Sequence, residues 1–347
     1  MSLQTGQGIA ALLNGRAKRV TPKVARVLQE VLPDALVLVS HDLVEAREHA
    51  ARIAAAKPDV VLSGGGDGAV VKLLNLLRER GPMPAVGILK LGTGNGWARA
   101  SGAPDFFDLA RKLPAMRREL PTQTYDLVEV DGQLCHFAGV GWDARILNDY
   151  SRNLGKRGSQ ALGSQLATWL NKSALGYLYS TARITVPEEI RELRAHGQPR
   201  VVLENLGETV WELDRRGKPL LVLDADGGGP PRILYDGPLS VGAASSTPQW
   251  GYGFKAFPFA RARPGHINLR IYDRPVLEAV RRAVSLWTGK FPLPGMTDFF
   301  VKRARMRFSR PMPFQIGGDP VGLRDEIVFS VASEQARVVD WHAALAQ

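Results

Sequence analysis

Residues 60–80 limit the possible fold of this chain more than any other segment. They combine a short apolar stretch, a series of glycines and a helical pattern. Val60, Val61 and Leu62 predict a buried strand, residues 63–68 (Ser-Gly-Gly-Gly-Asp-Gly) predict a loop, and residues 69–80 predict an amphipathic helix. Glycines let the backbone approach a ligand, and the first N–H groups of a helix favour an anion. The unit therefore predicts an anion-binding turn, with a purely structural turn capped by Asp67 as the alternative.

The same rhythm of strand and helix extends over the first third of the chain. Thr21-Pro22 and Asp42 are typical starts of helices. Strands are predicted at residues 9–13, 35–39, 59–62 and 85–89, and helices at 23–32, 43–56 and 69–80. This alternation predicts an α/β domain of three layers with a mainly parallel sheet.

After about residue 121 the pattern changes to short strands. Residues 124–130 and 133–140 predict a hairpin, because Asp131-Gly132 suits a type I′ turn. Further strands are predicted at 200–203, 209–213, 220–223, 233–235 (before Asp236-Gly237), 266–272 and 299–308, and helices at 158–172 and 276–288. We therefore expect an α/β nucleotide domain at 1–123 and an antiparallel β-sandwich domain at 124–330, with 331–347 packing back on the first domain.

A second glycine loop follows the fourth predicted strand. It reads Leu91-Gly92-Thr93-Gly94-Asn95-Gly96. The carboxyl ends of parallel strands meet at one edge of a sheet, so both loops are expected at the same ligand-binding edge. Asp67 would repel a phosphate alone, and it makes chemical sense beside Mg²⁺ or a hydroxyl proton.

These two motifs resemble the paired motifs of the diacylglycerol kinase catalytic-domain family, which includes bacterial lipid kinases and sphingosine kinases. The matching strings are Gly65-Gly66-Asp67-Gly68 and Gly92-Thr93-Gly94-Asn95. Weaker matches keep the family's order along nearly the whole chain: Asn14, residues 137–144, Gly251-Tyr252-Gly253, residues 257–260 and residues 315–320.

The resemblance implies a kinase that uses ATP and Mg²⁺ and phosphorylates a lipid hydroxyl, such as that of diacylglycerol. It implies catalytic roles for Asp67 and Asp319, and Asp319 would also be a metal ligand. The implied nucleotide-binding residues are Asn14, Gly65, Gly66, Asp67, Gly68, Gly92, Thr93, Gly94 and Asn95.

Several positions depart from the family's pattern. Gly317 stands where the family has an Asp, Lys72 where a Glu usually follows the glycine loop, and Lys90 where a Pro precedes the second loop. Fewer acids and two added lysines make the expected site more cationic. The base that accepts the lipid hydroxyl proton would then be Asp67 or Asp319.

Charge and composition narrow the class of partner. The 45 Lys and Arg against 34 Asp and Glu give a formal net charge of +11, which favours anionic partners. Cys135 is the only cysteine, so an intrachain disulfide and a thiolate metal cluster are excluded. We expect a cytoplasmic protein that associates peripherally with an anionic membrane surface, and no nucleic-acid partner; the oligomeric state, including a homodimer, stays open.

One basic strand pattern leaves two interpretations. Arg303, Arg305 and Arg307 alternate with apolar residues, so their side chains share one face. That face either contacts lipid headgroups or is simply solvated.

Two other functions remain open from the sequence. NAD kinases share a Gly-Gly-Asp-Gly loop, although the second loop here lacks the Asn-Glu pair that would favour NAD. Gly317 and Lys72 also allow a protein that binds lipid or nucleotide without catalysis.

Overall fold

The computed structural model describes residues 6–116, 119–142, 144–145, 186–250 and 253–347. The chain divides into two compact units. The first comprises Met1–Leu127, Gln249–Gly253 and Ser333–Gln347, and the second comprises Val128–Pro248 and Phe254–Ala332.

The first unit is built on a parallel sheet. Its strands are β1 (Ile9–Asn14), β2 (Leu36–Ser40), β3 (Val60–Gly65) and β4 (Ala85–Lys90). They pair in the order β2-β1-β3-β4, with Leu13 opposite Gly64 and Gly65 opposite Lys90. β1, β3 and β4 are almost wholly buried, as expected for a parallel sheet that is covered on both faces, whereas the edge strand β2 is mostly half-buried.

Helices connect these strands and cover the sheet. They are α1 (Pro22–Val31), α2 (Leu43–Ala56), α3 (Asp67–Arg78), α4 (Gly96–Ala100) and α5 (Phe106–Lys112). Right-handed crossovers place α1 on one face and α2 and α3 on the other, and α1 packs with α5 while α2 packs with α3. The two predicted caps are present: the Thr21 hydroxyl accepts from Val24 N at 3.4 Å, and Asp42 accepts from Glu45 N at 2.9 Å. The predicted three-layer α/β fold is confirmed.

The second unit is an antiparallel β structure. Its strands are β5 (Thr122–Val130), which begins in the first unit, β6 (Gln133–Cys135), β7 (Phe137–Gly141), β8 (Arg200–Asn205), β9 (Val210–Leu213), β10 (Pro219–Leu221), β11 (Ile233–Pro238), β12 (Val241–Ser245), β13 (Ile267–Tyr272), β14 (Met296–Val301), β15 (Arg303–Ile316) and β16 (Asp319–Val339). The helices are α6 (Val186–His196), α7 (Val276–Arg281) and α8 (Ala283–Thr288).

The long strand β15 contributes to both layers of a sandwich. Its last residues pair with β7 in the order β10-β9-β14-β13-β12-β7-β15. Its first residues lie between β8 and β16, and β8 also pairs with β11. The register shifts between Arg307 and Met312, where a bulge bends the strand. The predicted β-sandwich is confirmed.

The chain returns to the first unit through the end of β16. Val338 pairs in parallel with Val86 of β4, and the strand leads into α9 (Trp341–Leu345). The buried Trp341 donates its indole N–H to Ile88 O at 3.1 Å. This contact fixes the last helix on the edge of the parallel sheet.

Several predicted local structures are wrong. Residues 63–65 continue β3 as a strand and are not loop, because they pair with β4 up to Gly65. The strand predicted at 233–235 does not end there, because Asp236 and Gly237 continue β11 and pair with β8. The predicted strand 299–308 is two strands that end and begin on either side of Lys302, and the predicted helix 276–288 is two helices that meet at Arg282.

Other differences concern elements that the sequence pattern did not reveal. The strand β12 and the 21-residue strand β16 were missed, the latter because its charged residues interrupt the apolar pattern that marks a strand. The predicted helix 158–172 lies outside the described residues. None of the helices in the described ranges has both the length and the apolar character needed to cross a membrane.

Candidate functional site

The two glycine loops are packed directly against each other. A Cβ atom on Gly92 would lie 2.2 Å from Gly66 Cα and 2.9 Å from Gly65 O. No side chain fits at residue 92 unless one of the two loops moves. The glycines are therefore required first for the contact between the loops, which brings both to one edge of the sheet as predicted.

Asp67 ties the first loop to the second. Its Oδ2 accepts from Gly96 N and its Oδ1 from Trp97 N, both at 2.9 Å. Asp67 is itself in the first turn of α3, and its carboxylate caps the start of α4. The N-termini of two helices thus converge on one carboxylate, which both helix dipoles stabilise.

Asn95 shapes the second loop from within. It is buried, with a left-handed backbone at φ 52°, and its amide both accepts from Gly92 N at 2.8 Å and donates to Gly92 O at 2.7 Å. Asn tolerates this conformation better than most residues do. The Asn95 amide was predicted to bind a nucleotide, but its hydrogen bonds are made within the loop. The side chain therefore stabilises the conformation of the loop.

Asn14 lies at the same edge, at the end of β1. A Cβ on Gly65 would lie 3.3 Å from Asn14 Cβ, and the register places Asn14 level with Gly65 and Lys90. The side-chain oxygen of Asn14 accepts from Arg16 N at 3.1 Å, which closes the turn after β1. The half-buried Asn14 is thus brought together with both loops.

The start of α3 faces this edge without a side-chain cap. Its N-cap residue is Gly66, which makes no side-chain hydrogen bond. The N–H groups of an uncapped first turn, together with the helix dipole, suit a bound anion. Gly68 lies in this turn and is half-buried.

Thr93 is the most open of the predicted nucleotide-binding residues. It is exposed in the second loop, and its neighbour Gly94 is half-buried. The exposed Thr93 side chain is accessible to a ligand.

Positive charge surrounds the carboxyl edge of the sheet. Lys90 ends β4 and is half-buried, while Arg16, Lys18 and Arg19 are exposed in the segment after β1. These cations favour anionic ligands at the edge where the glycine turns are expected to bind an anion.

Asp319 lies in the second unit, in a tight hairpin between β15 and β16. Ile316 pairs with Asp319, and the two turn residues have left-handed backbones, with φ 58° at Gly317 and 92° at Gly318. The turn is held by Phe137 O, which accepts from Gly317 N, and by the buried Gln315 side chain, which accepts from Gly318 N. Glycine at 317 therefore satisfies the turn, and Asp319 is exposed at its end.

The basic face of β15 is largely neutralised within the second unit. Arg305 lies 3.6 Å from Glu204 and 3.4 Å from Glu326, while Arg307 lies 3.0 Å from Glu204 and 2.7 Å from Glu326. The hydrogen bond from Arg307 lowers the pKa of Glu326. Two of the three guanidiniums that were expected to meet lipid or solvent are thus engaged by carboxylates of the neighbouring strands.

The sequence reasoning missed the partners of Asp67. Its two hydrogen bonds span 29 and 30 residues, and they use backbone N–H groups that any residue could supply. The cations Arg16, Lys18 and Arg19 were also missed. Their signal was their place just after a strand that ends at the ligand-binding edge.

A metal site built from protein side chains alone is not found in the described part of the chain. Among the described residues, no group of three or more His, Cys, Asp or Glu is placed to hold a metal ion. Mg²⁺ commonly takes one or two carboxylates and completes its shell with phosphates and water.

Comparison with known proteins agrees with this geometry. Residues 11–130 match the model of the diacylglycerol kinase catalytic domain. The probable lipid kinase YegS-like of Klebsiella pneumoniae (strain 342) is 33% identical over 96 residues, which are 28% of this chain and 32% of that protein. The probable lipid kinase YegS of Escherichia coli O127:H6 (strain E2348/69 / EPEC) is 32% identical over 117 residues, 33% of this chain and 37% of that protein.

The solved structures extend the likeness in fold. A crystal structure of a diacylglycerol kinase from Bacillus anthracis str. Sterne superposes with a TM-score of 0.56 at 13% identity, covering 97% of this chain and 98% of that chain. At that identity the superposition shows the fold alone, and the aligned segments span about a third of the length of the curated relatives. The matched segment, residues 11–130, holds Asn14 and both glycine loops, so the part of the chain that is similar to the diacylglycerol kinase catalytic domain is the part that carries this edge.

Proposed function

We propose that this chain is a lipid kinase that transfers the terminal phosphate of ATP to the hydroxyl of diacylglycerol or a related lipid. The observation that carries the proposal is the packing of Gly66 against Gly92, fixed by the hydrogen bonds of Asp67 to Gly96 and Trp97. This packing creates one edge with two helix N-termini, in the segment that matches a lipid kinase domain.

The edge suits a triphosphate. The uncapped first turn of α3 offers N–H donors, Thr93 offers an accessible hydroxyl, and the nearby cations compensate negative charge. Transfer of a phosphoryl group depends mainly on positioning and charge neutralisation, which such an edge can supply. In the proposal Mg²⁺ neutralises the phosphates, with Asp319 as its candidate carboxylate ligand.

The two predicted catalytic acids receive different roles in the proposal. Both oxygens of Asp67 accept hydrogen bonds from α4, so we assign Asp67 the task of positioning the second loop. Asp319 is exposed and is the candidate for the base that accepts the lipid hydroxyl proton. The lipid acceptor resides in a bilayer, so we propose that the protein works at a membrane surface from the cytoplasm.

The test is a transfer assay with ATP labelled at the γ-phosphate. The protein is incubated with Mg²⁺, NAD and vesicles that contain diacylglycerol, and label is measured in the organic extract and on NAD. We expect label in the lipid fraction for the wild type and for Gly228→Ala, and none for Gly92→Ala. Gly228 is the matched control, because a Cβ there meets no atom within 4 Å.

The second candidate is a protein that binds nucleotide or lipid without turnover. It is favoured by the engagement of both Asp67 oxygens and by the absence of an acid at Gly317. Binding of ATP with no label in any fraction across several divalent metals would support this candidate and overturn the kinase proposal. Label on NAD alone would make the chain an NAD kinase.

A further inference from the structure

An apolar ridge lies exposed on the helical segment between β13 and β14. Its four side chains are Leu277, Val280, Val284 and Trp287, with exposed fractions of 48%, 53%, 78% and 43%. Leu277 and Val280 are three residues apart on α7, and Val284 and Trp287 are three residues apart on α8, so each helix presents its pair on one face. Val276 and Ala279 of α7 are buried, and they attach α7 to the second unit.

The two helices of the ridge meet at Arg282, which is hydrogen-bonded to both. Arg282 N donates to Glu278 O at 3.0 Å, and Leu286 N donates to Arg282 O at 2.9 Å. Trp287 stacks on Phe254 with ring centroids 5.5 Å apart and an interplanar angle of 18°. The stacking holds the Trp287 ring at the end of the ridge.

Exposed cations border the ridge. Arg281 lies within the segment, Lys290 follows it, and Lys255 N donates to Trp287 O at 3.0 Å. In the part of the chain that the structure describes, none of these three side chains forms an ion pair. The patch therefore combines large apolar groups, an indole and uncompensated positive charge.

We propose that this ridge docks on an anionic lipid bilayer. Rigid apolar side chains with Trp and a basic border match the interface of a membrane, where apolar groups enter the acyl boundary and cations meet anionic headgroups. A second protein copy would place the positive borders of two ridges against each other. This inference rests on the proposed function in one respect: a lipid kinase finds its lipid acceptor in a membrane. Docking on the membrane itself requires no phosphoryl transfer.

The test is co-sedimentation with vesicles of phosphatidylcholine alone and of phosphatidylcholine with phosphatidylglycerol, without nucleotide. We expect the wild type to bind the anionic vesicles, Val280→Gln/Val284→Gln to lose at least tenfold in partition coefficient, and Arg281→Gln/Lys290→Gln to lose several-fold. The matched control is Val44→Gln/Arg52→Gln on α2, where Val44 is 61% exposed, and it should bind like the wild type.

The outcomes separate docking from catalysis. Equal binding by wild type and ridge variants, or equal binding to both kinds of vesicle, overturns the docking proposal. So does a dimer in sedimentation velocity that the ridge variants lose, since a second copy would then cover the ridge. Transfer to a short-chain, water-soluble diacylglycerol is assayed in parallel: its absence in a wild type that binds vesicles refutes the kinase proposal and leaves docking intact.

Discussion

At the scale of single residues, the site depends on a carboxylate that serves the backbone. Asp67 accepts from two N–H groups of α4 and stands in the first turn of α3. Hydrogen bonds to a charged group contribute more than neutral ones, because the charge strengthens each contact. The acid in the glycine loop is thus explained by architecture before any catalytic role is invoked.

Asp67→Asn should weaken both the fold of the site and its activity. The new amide would turn an N–H₂ group toward a backbone N–H, so we expect a loss of about 2 kcal/mol in unfolding free energy and loss of phosphoryl transfer. Urea unfolding measures the first effect. Asp42→Asn is the control, since Asn caps a helix about as well as Asp; equal stability losses in the two variants would contradict the special role of Asp67.

Gly92→Ala should separate the two loops. The added Cβ would lie 2.2 Å from Gly66 Cα, so one loop must move, at a cost of about 1–3 kcal/mol. Thermal unfolding should show the loss for Gly92→Ala and almost none for Gly228→Ala. Wild-type stability together with full transfer activity in Gly92→Ala would refute the close packing.

At the scale of elements, the hairpin between β15 and β16 explains an unusual residue. Gly317 at φ 58° precedes Gly318 at φ 92°, a pair of conformations that Asp-Gly also adopts in type I′ turns. We expect Gly317→Asp to lose less unfolding free energy than Gly317→Val, because Asp tolerates a left-handed backbone better than a branched residue does. Gly317→Val should lose at least about 1–2 kcal/mol, because a branched side chain is strained there; similar stabilities for both variants would show that the turn relaxes.

Asp340, at the start of the last helix, should make the protein lose stability as the pH becomes acidic. Asp340 caps α9 and accepts from Gln123 Nε2 at 2.5 Å, and this hydrogen bond lowers the pKa of Asp340 from its usual 3.8. A lowered folded pKa stabilises the protein above pH 3.8, and that contribution is lost as pH falls through the folded pKa. The free energy of unfolding, measured with urea between pH 5 and pH 3, should therefore fall less steeply with decreasing pH for Asp340→Asn than for the wild type. The same pH dependence in both proteins would contradict a lowered pKa of Asp340.

Element by element, local signals in the sequence were reliable where a local cause exists. Thr21 and Asp42 start their helices as predicted, and Asp131-Gly132 turns with φ 51° and 72°. The failures have distant causes: Asp236-Gly237 became strand because β8 pairs with it, and residues 63–65 became strand because β4 does. A local sequence pattern carries no information about strands far along the chain that will pair with the segment.

At the scale of the whole molecule, the sequence predicted the meeting of the two loops but not how they meet. Parallel strands place the ends of β3 and β4 at one edge, which the order of strand and helix already implied. The close approach of Gly66 to Gly92 and the hydrogen bonds of Asn95 within its own loop are features of the folded structure that the sequence pattern does not indicate. The residues predicted to bind a nucleotide are therefore of two kinds. Some stabilise the structure of the edge, and others, such as Thr93, remain accessible to a ligand.

The most direct test of the account is hydrogen–deuterium exchange of the full chain with and without Mg²⁺ and ATP. We predict that amides in residues 64–70 and 91–98 become slower to exchange together when ATP is added, in the wild type and in Gly228→Ala but not in Gly92→Ala. Protection of only one of these two segments, or protection confined to other parts of the chain, would contradict the claim that the two glycine loops form a single triphosphate site.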